Sequence, residues 1–223
     1  RRAPAAATDS GDAAGRGNGG GCNDAMPSSG GGAGPSGHDA KSMDGMTCTE
    51  RKCLASCPTA LPGPRLVPVP SPGGGSYCID ATEVTKAQYA EFLATRPSTN
   101  EQPAACDWNA TYEPSADWPA AVGTEDYPVV NVDWCDASAY CKWAGKRLCG
   151  KIGGGATADA DWKDAAKSEW YNACSAGGLN KYPYGNTYEG ARCVGREYDG
   201  RPGYQSDSDV AKAVESASGC HGD

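Results

Sequence analysis

Histidine is nearly missing from this chain: 223 residues hold two, His38 and His221, and none lies between residues 77 and 220. That scarcity argues against a histidine-based catalytic triad and against a His-rich zinc site. Long apolar runs are also absent. Nothing approaches the roughly eighteen apolar residues of a membrane-crossing helix, and the N-terminus has no apolar signal-peptide core, so no transmembrane segment is expected. Aromatic residues are missing from the first third, since all eighteen lie at or after Tyr77. Residues 1–76 instead hold sixteen of the 31 glycines and nine of the 16 prolines. They cannot bury enough apolar surface to offset ordering entropy.

Charge divides at the same place. Seven basic and six acidic residues precede Tyr77, against thirteen and 22 from there on, so the net −8 belongs to the later part. An acidic domain argues against nucleic acid as a partner. The chain opens on Arg1 rather than Met, which predicts an export signal already removed or a fragment. Cysteine is abundant. Twelve, an even number, suit an oxidising compartment, and the expected location is exported: periplasm, cell surface or secreted.

Residues 1–46 read as a Gly/Ala/Ser-rich disordered tether without secondary structure, and 47–76 as a Cys/Pro-rich lead-in. Cys22 lacks the apolar stretch that precedes a lipidated cysteine. Cys48, Cys53 and Cys57 favour disulfides over a metal knuckle, because no histidine accompanies them. Leu66, Val67 and Val69 form a short edge strand at best among their prolines. Folded sequence is expected over 77–223. Thr85 and Gln88 make a capping box, with Val84 and Tyr89 as a hydrophobic staple, predicting a helix from Lys86 to about Ala94 that ends before Pro97. The 97–127 stretch predicts a long loop pinned by Trp108, Tyr112 and Trp118 and by a disulfide through Cys106. Those aromatics read as packing residues ahead of a ligand platform. Asn109-Ala110-Thr111 fits a glycosylation acceptor.

Val129–Val132 predicts a short strand, followed by a helix over Trp134–Ala144 capped by Asp133 and stopped by Gly145, with Lys146 and Arg147 against its dipole. A third helix is expected around Asp164–Ser175, stopping at Gly177-Gly178. Gly153-Gly154-Gly155 lacks the leading strand and Gly-Lys-Ser/Thr of a phosphate cradle. Glu125-Asp126 and Asp207–Asp209 read as solvated charge, since no calcium-loop spacing is present. Cys149, near Lys146, Arg147 and Lys151, is the best candidate for a reactive thiol, although a disulfide, with Cys174 for instance, is favoured. Cys135 lies between Asp133 and Asp136, whose charge favours its thiol form. Cys141, about 240° around the same helix, does not share its face.

Four ordered segments resemble one family. "YCIDATEVTKAQYAEFL" (77–93), "YPVVNVDWCDASAYCKWAGKRL" (127–148), "SEWYNACSAGG" (168–178) and "YPYGN" (182–186) are similar to motifs of the formylglycine-generating enzymes, or sulfatase-modifying factors. The resemblance implies an α+β fold with much irregular structure, related to the C-type-lectin fold and incomplete at its C-terminus. It implies oxidation of a sulfatase cysteine to formylglycine, with copper and calcium as family cofactors and a sulfatase-like polypeptide as partner. Three departures qualify it. A glycine-rich insertion separates Leu148 from Ser168, Cys193 stands where the family offers a calcium-binding asparagine, and the Trp-Glu-Trp and Gly-Gly-Ser-Trp segments that accompany the catalytic cysteine pair have no counterpart before Asp223. No residue is therefore assigned a catalytic, cofactor-binding or metal role. The rival expectation is a noncatalytic surface module on a flexible stalk, holding a peptide or carbohydrate ligand. An iron-dependent sulfur-oxygenating relative would need an iron-binding histidine, which counts against it.

Overall fold

The computed structural model describes residues 22–24, 56–195, 198 and 211–221. Its elements run β1 (Cys22–Asp24), β2 (Leu66–Pro70), β3 (Ser76–Asp80), α1 (Lys86–Ala94), α2 (Trp134–Trp143), β4 (Lys146–Leu148) and α3 (Glu169–Cys174). The strands form one antiparallel sheet in the order β2-β3-β1-β4. Pro68 and Pro70 lack an N–H to donate, which suits β2 to the sheet edge where sequence placed it. β2 and β3 are a hairpin registered Leu66 to Asp80 and Pro70 to Ser76. One strand lies where none was expected: Cys22–Asp24, inside the Gly-rich stretch, pairs with both β3 and β4. A ladder needs only backbone partners, so side-chain periodicity gave no signal for it.

Local chemistry sets the helix starts. Thr85 Oγ1 accepts from the Gln88 N–H and Gln88 Oε1 accepts from the Thr85 N–H, opening α1 at the residue the capping box predicts. Asp133 accepts from the Cys135 and Asp136 N–H groups, while Asp136 accepts from the Asp133 N–H. α2 ends at Trp143, where Gly145 takes a left-handed φ of 70°. α3 is shorter than expected because the 161–167 segment is a series of turns, and Ser168 caps the helix proper.

Two further expectations change. Val129–Val132 is not a strand: Pro128 makes a single bridge to Thr85, the Val129 N–H donates to Val84 O, and Asn131 turns the chain with a φ of 60°. Lys146 and Arg147 lie in β4 rather than serving the α2 dipole. Lys146 is wholly buried. Its Nζ donates to Asp80 Oδ1 at 2.5 Å and to Pro64 O at 2.9 Å. Gly63 is required beside this pair, since a Cβ there would come within 2.5 Å of the Tyr140 hydroxyl.

The core gathers α1, α2 and the intervening loop. Val84, Tyr89, Phe92, Tyr112, Val129, Tyr140 and Cys141 form its buried cluster. Tyr89 stacks on Tyr140 at 5.5 Å, and Phe92 meets Tyr112, Tyr140 and Trp143 at tilted or edge angles. Val84 and Tyr89, the expected staple, lie together in this cluster.

Candidate functional site

The thiol that sequence favoured lies in a polar cluster between β3, β4 and α3. Glu169, the first residue of α3, binds Arg147 through both carboxylate oxygens, at 2.6 and 2.7 Å. The Gly150 N–H also donates to Glu169 Oε2 at 2.8 Å. Tyr77 donates from its hydroxyl to Glu169 O at 2.5 Å and to Asn172 Oδ1 at 3.0 Å. Cys149 and Cys174 are half-buried beside these groups and carry thiols, so the disulfide expected between them is not formed in the structure. Burial, then the Glu169 charge, pushes the Cys149 thiol up to about 12 against the opposing pull of Arg147. Burial alone pushes Cys174 up to about 11. The local positive charge that recommended Cys149 is directed at Glu169, and the thiol is not activated.

Seven other cysteines among the described residues are cross-linked. Cys57 pairs with Cys78, Cys106 with Cys135 and Cys193 with Cys220, and Cys141 is disulfide-bonded too. Cys48, Cys53 and Asp207–Asp209 lie outside the described residues, as does the Cys22 side chain. Glu125 and Asp126 are exposed. Gly153–Gly155 closes a tight turn on Lys151.

The Cys106–Cys135 bond assembles a second place, which sequence reasoning missed. It fixes the loop before Trp108 against the N-terminus of α2, and between them opens a cleft of about 350 Å³. Asn109, Thr111, Glu113, Asn131, Asp133 and Asp136 contribute to its lining, which includes three carboxylates and no Lys, Arg or His. Trp108 and Trp134, each next in sequence to a lining residue, are 66% and 60% exposed. The Trp108 indole is held by donation from Nε1 to Ala105 O at 2.9 Å. Tyr112 and Trp118 instead pack into the core, so the three aromatics considered together in the sequence do not share a surface.

At the floor of the cleft, Asn109 Nδ2 donates to Asp136 Oδ1 at 2.8 Å and to Gln102 Oε1 at 3.2 Å. Its amide is buried and engaged, which removes Asn109 as a glycosylation acceptor in the folded chain. Burial raises the Asp136 carboxyl above its ordinary range, opposed by hydrogen bonds from the Asp133 N–H and the Asn109 amide. Among the described residues no group of three or more His, Cys, Asp or Glu could hold a metal ion.

The sulfatase-modifying factor enzyme 1-like domain model matches residues 71–219, and both places just described lie within it. The chain belongs to this family. It is 39% identical over 62 residues to a formylglycine-generating enzyme of Bos taurus, covering 27% of this chain and 12% of that protein. Over 82 residues it is 38% identical to a formylglycine-generating enzyme of Thermomonospora curvata, covering 33% of this chain and 22% of the relative. A bovine protein named inactive C-alpha-formylglycine-generating enzyme 2 is 38% identical over 66 residues, 29% of this chain and 16% of its own length. The chain thus spans less than a quarter of each of these relatives. No solved structure matches it. The helix-and-sheet architecture with long irregular connections is consistent with this family's domain.

Proposed function

We propose that this chain recognises a sulfatase-like polypeptide, as the binding part of a formylglycine-generating domain. The observation that carries the reading is the acidic cleft, with the exposed Trp108 and Trp134 each next in sequence to one of its lining residues. Carboxylates without a neighbouring base favour a cationic side chain, and exposed indole faces add cation–π attraction to an arginine or lysine of an extended peptide. On this reading the fold is the family's variant of the C-type-lectin type. Export is supported by the disulfides, which persist in oxidising compartments, and among the described residues no helix is long and apolar enough to cross a membrane.

The reaction of the family, oxidation of a cysteine to formylglycine, is proposed for the domain and not for the thiols described. Copper does not fit the described residues: they offer no three-donor cluster, and both thiols are held in the protonated form. The same facts, with relatives whose names say inactive, favour a second reading as a noncatalytic binding module.

Titration of the chain with a fluorescent, cysteine-containing sulfatase peptide bearing an arginine tests the proposal. Glu113→Lys should weaken binding by roughly tenfold, about 1.4 kcal/mol, as should replacing the peptide arginine with glutamate. Equal affinity for both peptides would remove the acidic cleft as the recognition site. Mass spectrometry of the bound peptide, incubated with copper and oxygen, separates the two readings: formylglycine supports the enzyme, unchanged cysteine the binding module.

A further inference from the structure

We propose that Lys86 and Asp117 are positioning residues for recognition at the acidic cleft, their ion pair fixing the wall that presents Glu113 to a cationic peptide. The inference rests on the cleft reading and adds how that wall is held. Each of the two residues breaks a local rule. Lys86 is the first residue of α1, where the helix dipole disfavours a cation, and no acidic residue lies in that first turn. Its side chain is nonetheless only 4% exposed. Asp117 takes a left-handed φ of 57°, which residues with a side chain rarely adopt. The two meet at 2.7 Å, with Lys86 Nζ donating to Asp117 Oδ2.

Stability does not account for this pair. Taking an ammonium out of water costs more than a carboxylate returns when that carboxylate is 56% exposed and screened by solvent. What the pair does is close one end of a short wall. At the other end the Tyr89 hydroxyl donates to Tyr112 O at 2.8 Å, so α1 holds residues 112 and 117 alike. Between them Glu113 and Ser115 line the cleft. Asn131, on the facing side, accepts from the Ser115 N–H at 3.1 Å and donates from Nδ2 to Ala116 O at 3.2 Å. Beyond Asp117 the Trp118 ring stands edge-on to Tyr89.

Glu113 is exposed, and its N–H donates to Thr111 Oγ1 at 3.0 Å. The place of its carboxylate is therefore set by a backbone pinned on α1 from both sides. Releasing Asp117 removes one pin, and a cation entering the cleft then has to order the wall as it binds, which lowers affinity.

The test uses the full chain and the fluorescent arginine and glutamate peptides. Asp117→Asn, which tolerates the left-handed conformation, should weaken arginine-peptide binding about fivefold and leave the glutamate peptide unchanged. In a Glu113→Gln chain the same substitution should have no further effect, because both act through one carboxylate. Lys86→Met combined with Asp117→Asn removes the buried charge as well. Its denaturation midpoint should match or exceed that of the native chain while its affinity stays low, a split that a merely structural pair would reverse. The proposal is overturned if Asp117→Asn leaves affinity unchanged, or if its loss adds in full to that of Glu113→Gln. A native chain that does not distinguish the two peptides sinks the cleft reading and this inference together. A native chain that does, with an indifferent Asp117→Asn, sinks this inference alone.

Discussion

At the scale of single residues, environment reverses what neighbours in sequence suggest. Lys146, Arg147 and Lys151 surround Cys149 along the chain, and an exposed peptide of that sequence would carry a thiol made more acidic by charge. In the fold Arg147 is bound by Glu169 through two oxygens, Lys146 is buried against Asp80, and burial outweighs the remaining attraction. The sign is direct: raising a thiol pKa lowers the thiolate fraction at any pH below it. At pH 8 an ordinary thiol of pKa about 8.5 is roughly a quarter thiolate, against about one part in ten thousand at a pKa near 12. Iodoacetamide should accordingly label Cys149 roughly a thousandfold more slowly in the native chain than in urea at that pH. Equal rates would show that Cys149 is exposed and activated.

At the scale of elements, the helices begin where local chemistry places them. α1 and α2 carry reciprocal capping boxes, at Thr85 with Gln88 and at Asp133 with Asp136. Thr85→Ala removes one oxygen acceptor and should cost about 1 kcal/mol in chemical denaturation without altering the disulfide pairing. A loss below a few tenths would mean that tertiary packing alone starts α1. These boundaries were legible because each cap needs residues only three apart. The strands were less so. Cys22–Asp24 has no pattern of its own, and its place between β3 and β4 depends on partners more than fifty residues away. Val129–Val132 has the composition of a strand but only Thr85 and Val84 to pair with. β propensity describes fit to a neighbour, and here the neighbour stops after one bridge.

Across the whole molecule, cross-links and buried pairs join segments that sequence leaves separate. Cys106–Cys135 closes a separation of 29 residues and forms the cleft as it does so. Replacing both cysteines with serine should cost about 3.5 kcal/mol by loop-closure entropy and weaken peptide binding in parallel, read by denaturation and by the fluorescent titration. Lost stability with unchanged binding would separate the cleft from the cross-link. The same bond explains why Asp133 and Asn109 were not recognised as one place: sequence leaves the partner of Cys106 open, and its bond to Cys135 is what joins their segments.

The sequence by itself determined the starts of α1 and α2, the heavy use of disulfides and the family. These depend on composition, on contacts a few residues apart and on motif order. Tertiary structure decided which cysteines pair, that Tyr112 and Trp118 are core while Trp108 is surface, and that Asn109 is sealed by Asp136. It also decided that Cys149 is a quiet thiol. Burial and long-range pairing set these outcomes, because desolvation and charge act through space and the chain order does not record which segments meet.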